Sequence, residues 1–145
     1  INIDNILRMF NLSVKGKYGL LAVIELERYQ QEGPIQIKSI AEAKKIPQHY
    51  LEQILLSLKR AGLVNSFRGS QGGYVLAKSA EAITVMDVLK ILEGPIQLCQ
   101  GMDCNSGVGV FWKSIENTLT DKLSITIGDV IRQKIAVENI ATYSI

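Results

Sequence analysis

Apolar residues recur about once per turn along the first third of the chain, where Tyr18, Leu21, Ile24 and Leu26 follow Leu12 in a helical rhythm. The rhythm stops at the turn signal Gly33-Pro34. A second helix is expected from Ser39, because Ser39-Ile40-Ala41-Glu42 has the spacing of a capping box, hydroxyl to a backbone amide and carboxylate back to the cap. Ile46-Pro47 breaks it, and Pro47 suits the first position of a third helix, where its missing N–H is not needed. That helix turns Leu51, Ile54, Leu55 and Leu58 inward and closes at Gly62, with Gln48, His49, Glu52, Gln53, Lys59 and Arg60 on its other face. Two helices around so short a turn, the second polar outside, read as a helix-turn-helix. The β-type runs Leu63–Phe67 and Tyr74–Leu76, separated by a glycine-rich tip, predict a hairpin after it. This order is that of a winged helix.

In the second half, Thr84-Val85-Met86-Asp87 and Thr126-Ile127-Gly128-Asp129 each join a capping hydroxyl to an acid in the first turn, predicting two helix starts. Between them a loop, 94–107, carries both cysteines, and Val108, Phe111, Trp112, Ile115, Leu119 and Leu123 form a long apolar stripe. A winged helix has a core of its own, so these six residues are expected to form a dimerisation face against a second copy. The expected architecture is mainly α: a winged helix-turn-helix DNA-binding domain at 12–80 and dimerisation helices at 81–134, the long one C-terminal. Residues 1–11 read as an extension, or as sequence upstream of a start near Met9, and 135–145 as a tail.

Composition narrows the classes. With 145 residues, 47% of them hydrophobic, the chain can form one domain, or a small domain with an extension, around a real core. No apolar run nears a membrane span of roughly 18 residues, and no leader pattern opens the chain, so with two cysteines a reducing, cytoplasmic setting is expected. The net charge of +2 is small but unevenly spread: Ser13–Lys78 holds ten Lys/Arg against five Asp/Glu, and the remainder six against nine. The basic half is the winged helix, as expected of a nucleic-acid footprint. One histidine and no nucleophile–base constellation disfavour an enzyme.

The glycines of Arg68-Gly-Ser-Gln-Gly-Gly-Tyr-Val-Leu76 do not suit a phosphate loop, which needs Lys and Ser/Thr after the second glycine and then a helix. As a hairpin tip, Arg68, Gly69, Ser70, Gln71, Gly72 and Gly73 offer a five-donor fork for phosphates or the narrow minor groove. The glycines there are expected to turn with positive φ and lie against a sugar–phosphate edge. On the third helix, Gln48 and Gln53 can pair with adenine edges, and Glu52 can accept from cytosine N4. Lys15, Lys17, Lys38, Lys59 and Arg60, with Ser39 beside Lys38, suit phosphates, which fix register rather than sequence.

Taken in order, Leu12-Ser-Val-Lys-Gly-Lys-Tyr-Gly-Leu20, Ser39-Ile-Ala-Glu42, His49-Tyr-Leu-Glu-Gln53, Ala61-Gly-Leu-Val64, the wing segment, Ala82-Ile-Thr84 and Leu92-Glu-Gly-Pro-Ile96 resemble the Rrf-two family of bacterial winged-helix transcription regulators. The match runs from about Leu12 to Asp129. Glu32-Gly-Pro-Ile35 and Leu92–Ile96 look most similar to its cysteine-metabolism type. The resemblance implies a homodimeric repressor on a pseudo-palindromic operator in double-stranded DNA, its long C-terminal helix crossing to the partner. It puts Gln48, His49, Tyr50, Glu52 and Gln53 at the groove-facing start of the recognition helix and Arg68 in the minor groove. The input could be an iron–sulfur cluster, thiol oxidation, a small metabolite or a partner enzyme such as cysteine synthase. The alternative is a winged helix kept for protein contacts, with weak or no DNA binding.

Cys99-Gln-Gly-Met-Asp-Cys104 lies where cluster-binding relatives carry three cysteines, and an iron–sulfur cluster normally takes four protein ligands. Here no third cysteine precedes Phe111-Trp112. Some relatives complete a two-cysteine site with an acid and a histidine of the first helix; the matching positions are Lys17 and Leu21. No cofactor is the first expectation. Cys99 and Cys104 are then reduced thiols in a loop or a disulfide, unless Asp103 or another acid completes a metal site.

Overall fold

The computed structural model describes residues 12–133, so the expectations for 1–11 and 135–145 fall outside the described residues. The first amphipathic run forms α1 (Val14–Arg28), which buries Ala22, Val23 and Leu26, and a 3-10 turn, Gln30–Glu32, leads on to Gly33. The flank of α1 supplies no side-chain cap. Glu93, the last residue of α4 (Val85–Glu93), does so instead, accepting the Gly16 N–H at 3.1 Å and the Ser13 hydroxyl. The two helices lie so close that a Cβ on Gly19 would meet Leu92 Cδ1 at 2.1 Å. A glycine is the condition for that contact.

α2 (Ile37–Lys44) starts two residues before the expected cap. Backbone pairing of Ile35 with Tyr74, at 3.0 and 2.8 Å, brings the chain in extended as far as Gln36, whose carbonyl accepts from the Ser39 and Ile40 amides. Ser39 therefore lies inside the first turn, and the capping box expected at Ser39–Glu42 does not form. α3 (Gln48–Arg60) also corrects the register by one residue, since Pro47 is its cap rather than its first helical position. Its end is a Schellman closure: Gly62 N–H donates to Lys59 and Leu63 N–H to Leu58, both at 3.0 Å, over buried Leu58 and Leu63.

β1 (Val64–Phe67) and β2 (Gly73–Leu76) make the antiparallel hairpin, Val64 opposite Leu76 and Phe67 opposite Gly73. A 3-10 turn, Ala80–Ala82, precedes α4; α5 (Gly107–Leu123) follows the cysteine loop, and α6 occupies 127–133. Both expected helix starts carry reciprocal boxes, Thr84 with Asp87 at 2.9 and 3.0 Å and Thr126 with Asp129 at 3.2 and 3.0 Å. The two caps are themselves joined, Val85 N–H to Ile125 O at 2.9 Å and Ile127 N–H to Ile83 O at 2.8 Å.

One core cluster runs from α1 through the hairpin to Val85, Val88, Leu89, Leu92 and Ile127. It includes residues on both sides of position 80, because α4 packs on α1. Within it, Glu25 is buried to 1% exposure with the Lys44 ammonium 3.1 Å away, tying α1 to the end of α2. α5 stands largely outside, fully burying only Gly109 of its 17 residues, and it reaches the core at its end, where Leu123, expected on the dimerisation face, packs against the cluster. Among the described residues no helix is long and apolar enough to cross a membrane.

Candidate nucleic-acid interface

The helix-turn-helix is made by three residues. Lys45 closes α2 in the left-handed region (φ 55°, ψ 46°), Ile46 plugs into the core at 4% exposure while donating to Ala41 O at 2.9 Å, and Pro47 restarts the chain as the α3 cap. On α3, Leu51, Ile54, Leu55 and Leu58 are fully buried, which fixes how the helix is rotated. Gln48, His49, Glu52, Gln53, Lys59 and Arg60 are consequently exposed, as their spacing predicts. Tyr50 departs from that set: it is half-buried, its ring edge-on to Tyr18 with centroids 5.8 Å apart. Leu56, 40% exposed, joins the outer row and was missed; its place one turn after Glu52 and three residues before Lys59 was the available signal.

No acid stands in the first turn of α3. Among the described residues Lys15, Lys17, Lys59, Arg60 and Arg68 make no ion pair, whereas Lys38 faces Glu42 at 4.0 Å over open surface. Lys17 is exposed, and so are Lys38 and Ser39; Lys15 is half-buried.

At the wing, Arg68, Gly69, Ser70 and Gln71 are exposed, and Gly69 turns with φ +102°. Gly72 and Gly73 lie tightly against the protein's own backbone, Gly73 with the positive φ expected of the tip. Gly72 is buried without positive φ, and a Cβ there would meet the Phe67 carbonyl oxygen at 2.3 Å; at Gly73 (φ +145°) it would meet the Ile35 oxygen at 2.4 Å. Both approach the protein's own backbone, so the outward tip is Arg68–Gln71. Phe67, 55% exposed beside Arg68, is a further wing residue that strand alternation after buried Val64 could have revealed.

Elsewhere, the Arg132 guanidinium hydrogen-bonds Glu81 and Asp129, holding both carboxyls below their usual range and raising its own pKa further. This cluster braces the 3-10 turn Ala80–Ala82 against α6. In the cysteine loop, the sulfurs of Cys99 and Cys104 are in bonding contact, with Cα atoms 6.2 Å apart. Asp103 turns its carboxylate onto the Asn105 N–H at 2.9 Å. Among the described residues no group of three His, Cys, Asp or Glu is placed to hold a metal ion. Two cysteines supply half of the four protein ligands an iron–sulfur cluster normally takes, and among the described residues no other donor is placed beside them to complete the set.

The family model described as "Rrf2: Iron-dependent Transcriptional regulator" matches residues 12–133. The chain is 51% identical over 85 residues to the HTH-type transcriptional regulator CymR of Bacillus subtilis, a match covering 59% of this chain and 62% of the relative, less than two thirds of its length. It is 34% identical over 131 residues to the HTH-type transcriptional regulator IscR of Pectobacterium carotovorum, covering 85% of this chain and 80% of that one. Among solved structures it is similar to CymR of B. subtilis, titled the Global Cysteine Regulator, with a TM-score of 0.73, 39% identity and 83% and 95% of the two chains covered.

Proposed function

The chain belongs to the Rrf2 family of transcriptional regulators, and from that premise we propose that it acts as a homodimeric repressor on a pseudo-palindromic operator. As a family member it is a DNA-binding winged-helix regulator and not an enzyme. The observation that carries the dimeric reading is the bare apolar face of α5. Val108 and Phe111 are 62% and 57% exposed, and Trp112, Ile115 and Leu119 on the same face are only half-covered. A second copy of the same helix covers such a face with matching chemistry, and the symmetry that pairs them also pairs two recognition helices and two wings.

In that dimer Gln48, His49, Glu52 and Gln53 read base edges, with Tyr50 reaching the groove by its hydroxyl from a ring held on Tyr18. Lys15, Lys17, Lys38, Lys59 and Arg60, with Ser39, meet phosphates, and Arg68 enters the minor groove from a tip made flat by Gly69, Ser70 and Gln71. The input belongs to redox or cysteine metabolism, in keeping with the likeness to a cysteine regulator; an enzyme such as cysteine synthase is the matching protein partner.

Genomic-fragment selection with the purified full chain, followed by binding assays across salt concentration, tests the reading. Affinity should fall steeply with salt. Arg68→Ala should weaken operator binding by about 1–3 kcal/mol while the dimer persists. A flat salt response with no selected fragment would favour a protein-interaction module instead.

A further inference from the structure

We propose that Cys99 and Cys104 are an oxidation site for hydroperoxides, and that the disulfide formed there fixes the start of α5 and so strengthens the dimer. The dimer clause rests on the function proposed above; the thiol chemistry does not. Four observations converge on it. The Cα separation of 6.2 Å is within the span a disulfide requires, so the loop already holds the sulfurs at joining distance. The two sulfurs are unequal: Cys104 is exposed, whereas Cys99 is 7% exposed with its sulfur 3.7 Å from the Gly109 carbonyl. Among the described residues no third His, Cys, Asp or Glu is grouped with them to hold a metal ion, so the pair is read for its thiol chemistry.

The fourth observation is where the loop rests. A Cβ on Gly109 would strike the Asp103 carbonyl and come within 2.8 Å of Cys104 Cα, so the loop backbone lies directly on the first turn of α5. Ser106 ties them again, its hydroxyl donating to Asp103 O at 2.7 Å and accepting the Gly109 N–H at 3.0 Å. Two turns on, Glu116, held by Lys113, accepts the Leu98 N–H at 3.2 Å. Cys99 and Cys104 are thus the closing bond of a loop clasped to α5 at both ends, immediately before its exposed Val108, Val110 and Phe111.

The chemistry balances with the peroxide as oxidant. The exposed Cys104 thiolate attacks one peroxide oxygen, the O–O bond breaks, and the departing hydroxide takes a proton to leave as water. Cys99, as thiolate, then attacks the Cys104 sulfenic sulfur; the S–S bond forms, the S–O bond breaks, and a second water leaves. Two thiols and one hydrogen peroxide give one disulfide and two waters, the two electrons passing from sulfur to oxygen. The bond removes freedom from the loop, so the first turn of α5 reaches the partner already ordered.

The test uses the full chain purified without oxygen, as wild type, Cys99→Ser, Cys104→Ser and the double variant, each with and without hydrogen peroxide. Intact mass and peptide mapping should show the loss of two hydrogen masses within one wild-type chain, and in neither single variant. Sedimentation should show the wild-type dimer dissociation constant falling at least about fivefold on oxidation, and no change in the double variant. Cys104 passing on to sulfinic acid, a disulfide between chains, or equal dimer constants in the two forms would overturn the proposal. Because Cys99 is buried, Cys99→Ala repeats the arm if the serine variant loses its helical signal. Operator binding is measured separately. If neither form binds any fragment, or both are monomeric, the repressor reading fails, while the mass measurement still decides the thiol site.

Discussion

Lys45 carries the turn between α2 and α3 at φ 55°, and it is the one non-glycine residue with positive φ among the described residues. A side chain there strains against its own carbonyl, so Lys45→Gly should raise stability by about 1 kcal/mol in urea unfolding, with the fold unchanged. Lys44→Ala should act oppositely, costing on the order of 3 kcal/mol, because it strands the buried Glu25 carboxylate. Legibility at this scale depends on how far apart the partners lie. The Thr84–Asp87 and Thr126–Asp129 boxes could be read because donor and acceptor are three residues apart. The box at Ser39–Glu42 had the same spacing and failed, because the start of α2 is set by Ile35 pairing with Tyr74. The true cap of α1, Glu93, is 80 residues from Ser13, beyond the reach of any local pattern.

Helix periodicity made α3 readable, since four fully buried residues leave one outer face and no other. The wing was harder. Glycines look alike in a sequence whether they approach a ligand or their own chain, and only the Phe67 and Ile35 carbonyls distinguish the two for Gly72 and Gly73. For α5, the apolar stripe foretold an amphipathic helix, and its exposure supports the view that the stripe faces another molecule. Phe111→Glu places a charge on that face without touching the core. It should turn the dimer to monomer at micromolar concentration in sedimentation, a loss of about 2 kcal/mol or more, with thermal unfolding of the winged helix little changed.

Across the whole molecule the winged helix and α4 share one core, because Gly19 and Leu92 allow two helices distant in sequence to touch. That contact depends on shape rather than on periodicity. The exposed Glu81–Arg132–Asp129 cluster adds a small, salt-screened acid dependence to the same body. Both carboxyls have folded pKa values below their unfolded ones, so their stabilisation is present above the ordinary carboxylate range and is lost as pH falls through the lowered values. Denaturation midpoints should therefore drop between about pH 5 and 3, and Arg132→Ala should flatten that drop. The Glu93 carboxylate bears on how the chain is made. Its hydrogen bonds join the first helix to a residue 77 and 80 positions downstream, so on the ribosome α1 emerges early yet waits for the end of α4 before its leading amide is satisfied. A nascent chain halted before residue 93 thus has α1 held to α2, α3 and the hairpin by the core but still lacks the carboxylate that satisfies the Gly16 amide.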